Sequence, residues 1–384
     1  MNIQNFTVNF AEDRMADLAL RLKMSRWPTG KDNVHWQYGV NKKFLANLVD
    51  YWIEEFDWRK QVTALNEYPQ FTFKADKVEL HYYHVKSKEK NAIPLLLCHG
   101  WPDSFLRYQK AIPLLADPGR FGGDSADSFD LIIPSLPGFG FSKMAEGEGM
   151  NNAAMAAVLV HLMTDVLGYK KFAAAGGDIG SGVTRQLAYN YPKSLLAIHL
   201  TDVGIIRELI QASNSETLSP EAHRYGKAAQ EWLAKEGAYI AIQSTKPLTL
   251  AYGLSDSPIG LAAWLLEKFH AWSDCGGDLN NSFSNDELLT NIMIYWLSNC
   301  IGSANQAYYE NVHSLPAIGR IEVPTGLALF AKDVLPPPKD WVIKNFNLMH
   351  WSQIKKGGHF TAMECPELFV SDIRNFLRPF RKPA

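Results

Sequence analysis

Residues 172–182 read Phe-Ala-Ala-Ala-Gly-Gly-Asp-Ile-Gly-Ser-Gly. The stretch opens as a short apolar run, Phe172 to Ala175, and leads into a helical pattern from Val183 to Tyr191. Between them, small residues stand two positions before and two positions after a single acidic residue, Asp178. A sharp strand-to-helix turn tolerates only such small neighbours and lifts one side chain off the top of a sheet, which is the pattern of a nucleophile elbow. The usual occupant is Ser. A carboxylate in its place suits attack on a saturated carbon and leaves an alkyl ester on the enzyme. The alternative is a Gly-rich βα turn whose Asp caps the following helix. The stretch alone leaves both readings open.

The flanking sequence supplies a context for an elbow. Val78 to Val85 alternates like a strand, and Ile93 to Cys98 and Phe129 to Ile133 are continuous apolar runs. Met155 to Leu167 has helical spacing; after the elbow come a strand from Leu196 to Leu200, strands at Thr325–Ala331 and Met349–Ile354, and a helix from Glu367 to Leu377. Apolar strands alternating with helices predict a mostly parallel sheet covered on both faces. In such folds active residues lie beyond the carboxyl ends of the strands, where His99, Ser142 and Asp178 all fall. Residues 205–318 break the alternation: they read as helical, carry Trp232, Trp264, Trp272 and Trp296, and form an insertion folded over the sheet. The first residues hold two helices, Ala11–Met24 and Phe44–Phe56, separated by the breaker Trp27-Pro28-Thr29-Gly30. Their aromatics (Trp27, Trp36, Tyr38, Trp52, Trp58) read as packing against a larger body. The expected organisation is an N-terminal extension over 1–84, a first core segment over 85–204, a helical cap over 205–318 and a second core segment over 319–384.

Composition narrows the function. Of 384 residues, 47% are hydrophobic and 20% charged, and the net charge of -2 gives no basic surface for nucleic acid or an anionic membrane. Aromatics are abundant, with 11 Trp, 15 Tyr and 20 Phe, enough to line an apolar pocket as well as a core. Cys98, Cys275, Cys300 and Cys365 lack metal-like spacing and suggest free thiols in a reducing compartment, the cytoplasm. The first residues, Met1 to Phe6, show no secretory signal, and no apolar run approaches a membrane span. No cofactor and no metal are expected.

Three elements then fall in one order: Asp178, then Asp333 in Phe330-Ala331-Lys332-Asp333, then His359 behind Gly357-Gly358. This is the nucleophile–acid–His order of the α/β-hydrolase fold. An ionised Asp178 needs no base to attack, so His359 is free to activate water while Asp333 fixes its tautomer. Asp202, after the strand Leu196–Leu200, is a rival for the acid. Water attack on the ester builds an oxyanion, and the backbone N–H groups of Trp101 and Ile179 are positioned to stabilise it. The Trp101–Pro102 bond is expected to be cis, since the turn must aim the Trp101 N–H into the site.

His-Gly-Trp-Pro at 99–102, Gly-Gly-Asp-x-Gly at 176–180 and Gly-Gly-His-Phe at 357–360 together resemble the epoxide hydrolases of the microsomal type, with their characteristic N-terminal domain. The resemblance runs from about Phe6 to the C-terminus and includes Lys246-Pro247 and the segment Ser255 to Ala263. It implies two cap tyrosines that hold the epoxide oxygen and donate to the departing alkoxide, at Tyr239 and Tyr308, with Tyr309 the neighbouring alternative. A weak acid of this kind helps an epoxide open as its C–O bond breaks. Two positions depart from the family: Ile179 follows the nucleophile where relatives often have Trp, and Asp333 stands where vertebrate relatives often have Glu. The family's membrane anchor is absent, implying a soluble enzyme.

The runner-up is a haloalkane or haloacid dehalogenase, which also uses an elbow Asp. Ile179 removes one common halide donor, and the tyrosine pair favours an epoxide. A Ser esterase is disfavoured because Ser181 lies three residues beyond the nucleophile position. A catalytically silent hydrolase-fold binding protein is the reading from another class. The expected partner is a small, mostly apolar epoxide, with no nucleic acid and no membrane span; oligomeric state stays open, a homodimer among the alternatives.

Overall fold

The computed structural model describes residues 3–9, 11–31, 35–203 and 219–381. Among these, ten strands form one sheet: β1 Ile3–Phe6, β2 Gln70–Ala75, β3 Val78–Val85, β4 Ile93–Cys98, β5 Phe129–Pro134, β6 Lys143–Met144, β7 Phe172–Gly176, β8 Leu195–Leu200, β9 Ile321–Phe330 and β10 Phe346–Ile354. Their order is β1-β2-β3-β5-β4-β7-β8-β9-β10, with β6 paired to β3. From β5 through β10 neighbours are parallel; β1, β2 and β3 extend the sheet antiparallel from β5. The expected mostly parallel α/β sheet is what forms. All five residues of β7 and five of the six in β4 are buried, as strands covered on both faces require.

Register sets the position of the site. Cys98 pairs with Gly176, Gly176 with Leu200, and Leu200 with Leu327. The carboxyl ends of β4, β7 and β8 are therefore level, so the residues after them emerge along one edge. β9 runs on to Phe330, opposite Ile354 of β10, and delivers the segments that hold Asp333 and His359 to the same edge.

Over that edge lie the helices Pro220–Glu236, Ala238–Gln243, Pro247–Asp256, Pro258–Trp272, Asn285–Ser298 and Ile301–His313. The expected start of the insertion, residue 205, lies outside the described residues. The N-terminal helices, Glu12–Lys23 and Lys42–Glu54, pack on the 258–272 helix. Trp36 stacks on His270 at 4.1 Å, and Tyr51 and Gln61 both donate to the Asp286 carboxylate, at 2.9 and 3.0 Å. Trp52 and Trp58 are buried, so these aromatics pack as read, while Tyr38 is exposed.

Several boundaries differ from the expected ones. The elbow helix begins at Ile179, not Val183, because the turn needs no residue beyond Asp178. β9 and β10 start four and three residues earlier than expected, at Ile321 and Phe346. Both early starts lie where polar residues interrupt the apolar run and the ladder reaches Phe346 and Ile321 across a register shift. β1 and β2 were not expected: β1 is a four-residue edge strand with exposed positions. The helix read as 155–167 is an α-helix over Asn152–His161 that continues as a π-helical turn over Leu162–Val166.

Candidate active site

Asp178 adopts φ 58° and ψ -129°, and its side chain makes no capping bond to the helix that follows. The cap reading of this residue therefore fails. A non-glycine residue held at positive φ between a strand and a helix is the strained geometry of an elbow. The glycines around it allow close approach: a Cβ on Gly180 would overlap the Cys98 carbonyl, and one on Gly100 would overlap the Asp178 carboxylate. Asp202 Oδ2 accepts the Asp178 backbone N–H at 2.5 Å and holds the turn from below.

The carboxylate is surrounded as the sequence suggested. Asp178 Oδ1 accepts the Trp101 N–H at 2.8 Å, and the adjacent Ile179 N–H favours the charge on the carboxylate. The Trp101–Pro102 bond is cis, as expected. Asp178 Oδ2 lies 3.3 Å from His359 Nε2, and His359 Nδ1 lies 2.7 Å from Asp333 Oδ1. Asp333 thus touches the imidazole on the nitrogen opposite Asp178.

Electrostatics follow from these contacts. Burial works against a charge on Asp178, but the His359 bond and charge and the two backbone N–H groups outweigh it and hold its pKa below the ordinary carboxylate value. Burial disfavours an imidazolium at His359, yet the Asp333 and Asp178 anions raise its pKa well above 6.5. Burial and the nearby Asp333 push Asp202 up to about 7. Asp202, Asp333 and His359 are, among the described residues, the grouping whose donor atoms could gather a metal ion, all within 4.8 Å of one another. Their facing atoms are already hydrogen-bonded, His359 Nδ1 to Asp333 and Asp202 Oδ2 to the elbow N–H.

Tyr239 and Tyr308 hang from the helices above. Their rings meet edge to face with centroids 5.8 Å apart, both feel the Asp178 charge, and burial raises both well above 10. Tyr239 is stacked on Trp101 with ring centroids 5.1 Å apart and planes 7° from parallel; Tyr308 meets Trp101 edge-on at 5.9 Å. Tyr309 points elsewhere, exposed beside His313. A cavity of about 100 Å³ opens between Asp178 and His359 below and Tyr225, Trp232, Tyr239 and Trp272 above, with Val203, Val334 and Leu335 at its side.

His99 and Ser142, which share the carboxyl edge, do not reach this cavity. His99 Nε2 accepts the Leu136 N–H at 3.0 Å, so Nδ1 carries the proton toward the Gly100 carbonyl at 2.9 Å, and burial lowers its pKa. Ser142 Oγ donates to the Ser135 carbonyl at 2.6 Å. Both residues tie loops together. Ser181 Oγ donates back to the Gly176 carbonyl at 3.0 Å.

Residues 3–108 match the family described as epoxide hydrolase N terminus, and residues 93–245 match the alpha/beta hydrolase fold. Epoxide hydrolase 1 of Sus scrofa is 36% identical over 409 residues, which span 98% of this chain and 88% of that protein. The chain belongs to the epoxide hydrolase family. Solved members are similar throughout: the juvenile hormone epoxide hydrolase of the silkworm Bombyx mori at 31% identity and a TM-score of 0.88, covering 99% of this chain and 95% of that one. The epoxide hydrolase of Aspergillus niger is 29% identical with a TM-score of 0.86, covering 99% and 97%.

In this epoxide hydrolase several supporting residues escaped sequence reasoning. Arg107 is fully buried, pairs with Asp103, and donates to the His359 carbonyl at 3.0 Å. Asp103 in turn accepts the Gly100 N–H at 3.0 Å, so one ion pair braces both the Trp101 turn and the His359 loop. Glu364 accepts the N–H groups on either side of His359, those of Gly358 and Phe360, at 3.0 and 2.9 Å. The Asp103-to-Arg107 spacing of four on a short turn was a visible signal; nothing local marks Glu364.

Proposed function

We propose that the protein converts a small, mostly apolar epoxide into a vicinal diol through an alkyl ester on Asp178. The observation that carries this reading is the division of the Asp178 carboxylate: Oδ1 is taken by the Trp101 N–H, while Oδ2 faces His359 on a cavity that Tyr239 also lines. Oδ2 attacks one epoxide carbon, and the C–O bond breaks as a proton passes from the tyrosine pair to the leaving oxygen. A hydroxy-ester and a phenolate remain. His359 Nε2 then takes a proton from water, and the hydroxide adds to the ester carbonyl. The resulting oxyanion develops on Oδ1, which the Trp101 N–H already holds and the Ile179 N–H adjoins. Collapse breaks the ester C–O bond, and His359 returns its proton to the departing diol oxygen. The carboxyl proton left on Asp178 restores the phenol, so one water is consumed per diol.

Asp333 is the orienting anion in this reading, since its Oδ1 sits 2.7 Å from Nδ1. The apolar wall of Val203, Trp232, Trp272, Val334 and Leu335 favours a substrate with hydrocarbon substituents. No described helix is long and apolar enough to cross a membrane. The four cysteines are free and buried, which fits a reducing compartment, and we assign the protein to the cytoplasm on that basis. A panel of simple epoxides and matched chloroalkanes tests the reading: diol release from the epoxides without chloride release from the chloroalkanes is expected, and the reverse pattern would make the protein a dehalogenase.

A further inference from the structure

A buried cation sits behind the tyrosine pair. Lys268 is only 6% exposed, on the helix Pro258–Trp272. Its Nζ lies over the Tyr239 ring, 5.1 Å from the centroid, and over the Trp272 ring at 5.7 Å. The ammonium is also paired, with Glu267 at 2.7 Å and Glu236 at 3.4 Å. Glu236 ends the helix that leads through Gly237 into Ala238 and Tyr239. Lys268 therefore touches the tyrosine in two ways, through the ring face and through the turn that carries it. A lysine is rarely this buried unless its charge is paired, and here the pairing also fixes the ammonium over the Tyr239 ring.

We propose that Lys268 is a positioning residue for ring opening, holding the Tyr239 ring against Trp101 and stabilising the negative charge that the ring takes up when Tyr239 gives its proton to the epoxide oxygen. The inference rests on Tyr239 acting as that acid. When the O–H bond breaks, the electron pair stays on the phenolate and spreads into the ring, where a desolvated cation over the π face attracts it more strongly than it attracts the neutral phenol. The benefit is thus larger in the transition state than in the ground state, which is the condition for a rate effect. Glu236 and Glu267 oppose the cation, both raising Tyr239. Lys268 is thus a charge whose effect its own counter-ions moderate.

The test follows alkylation of Asp178 in rapid-mixing experiments with styrene oxide. Lys268→Met keeps the aliphatic stem and removes the charge; it should slow adduct formation by about tenfold at saturating epoxide, with KM little changed and ester hydrolysis at the parent rate. Lys268→Arg, whose guanidinium also lies over aromatic faces, should recover most of the loss. Glu267→Gln should have the opposite sign and speed adduct formation, an outcome that a purely structural role does not produce and that keeps the idea testable if Lys268→Met does not fold. In a Tyr239→Phe background, Lys268→Met should cost nothing further in adduct formation. Unchanged adduct formation in Lys268→Met, or equal loss with and without the Tyr239 hydroxyl, overturns the role of Lys268. If Tyr239→Phe itself forms adduct at the parent rate, it is the acid assignment that fails.

Discussion

At the scale of single residues, the proposed mechanism asks one imidazole to change state during turnover. In the resting site His359 lies between two anions, and its pKa is raised well above 6.5 despite burial. Alkylation of Asp178 turns one of those anions into a neutral ester. The pKa of His359 then falls, so the imidazolium releases its Nε2 proton to solvent, becomes a base at the stage that needs one, and regains that proton when the Asp178 carboxylate is restored. Asp178, with its pKa held low, stays ionised in mild acid. Single-turnover measurements should therefore show ester hydrolysis failing first as pH drops, because His359 stays protonated, while ring opening persists to lower pH until Asp178 itself is protonated. Equal loss of both steps would contradict this order. Asp333→Asn should slow ester hydrolysis on the order of 10³-fold or more, since the imidazole loses its orienting anion. Asp202→Asn should retain most activity, because an amide oxygen can still accept the Asp178 N–H; steady-state turnover of both variants decides between the two acids. Asp178, Asp333 and His359 were legible because each is marked by its place after a strand, and Asp178 and His359 also by the glycines before them. Glu364 and Lys268 were not, because burial of a charge is a product of the whole fold and leaves no local pattern; Arg107 left only its spacing of four from Asp103.

At the scale of elements, the legible strands were those with continuous apolar runs. β7 is fully enclosed and β4 nearly so, which leaves their positions apolar or small. β1 and β2 lie at the antiparallel margin, where a strand with exposed positions reads like a loop. The other margin is fastened by a polar contact that periodicity could not reveal. Asp372, on the helix Pro366–Leu377, binds His199 of β8 at 2.7 Å and His350 of β10 at 3.0 Å. Burial opposes its charge, but the His199 bond and charge and the His350 bond prevail, and its pKa lies below the ordinary carboxylate value. Such a group contributes stability above the unfolded carboxylate pKa, and the contribution is lost as pH falls through the folded one. Asp372→Asn should destabilise the fold by about 3 kcal/mol at neutral pH, and the gap to wild type should close in acid. Urea denaturation at both pH values measures this; a gap that does not depend on pH would contradict it.

At the scale of the whole molecule, the N-terminal region acts on the active site through the helices above it. It adds β1, β2 and β3 to the sheet and also reaches across to the 258–272 and 285–298 helices. Arg21 pairs with Asp256, Trp36 stacks on His270, and Tyr51 and Gln61 share Asp286. The helix 258–272 also carries Trp272, which walls the cavity. The N-terminal aromatics could be read as packing residues, but their target could not, since each contact joins residues about two hundred positions apart. Asp286→Ala removes both acceptors and should cost about 1–2 kcal/mol in a chemical denaturation curve, with cooperative unfolding retained. If stability is unchanged, these bonds do not fasten the helical layer to the sheet.

The covalent ester on Asp178 is the central claim, and intact-protein mass spectrometry after brief exposure to an epoxide reads it directly. His359→Gln should gain the mass of one epoxide and hold it, because ring opening needs no base while ester hydrolysis does. Asp178→Asn should gain none. A wild type that turns over beside a His359→Gln variant that never gains mass would mean that His359 drives water straight onto the epoxide, and the covalent account would be wrong.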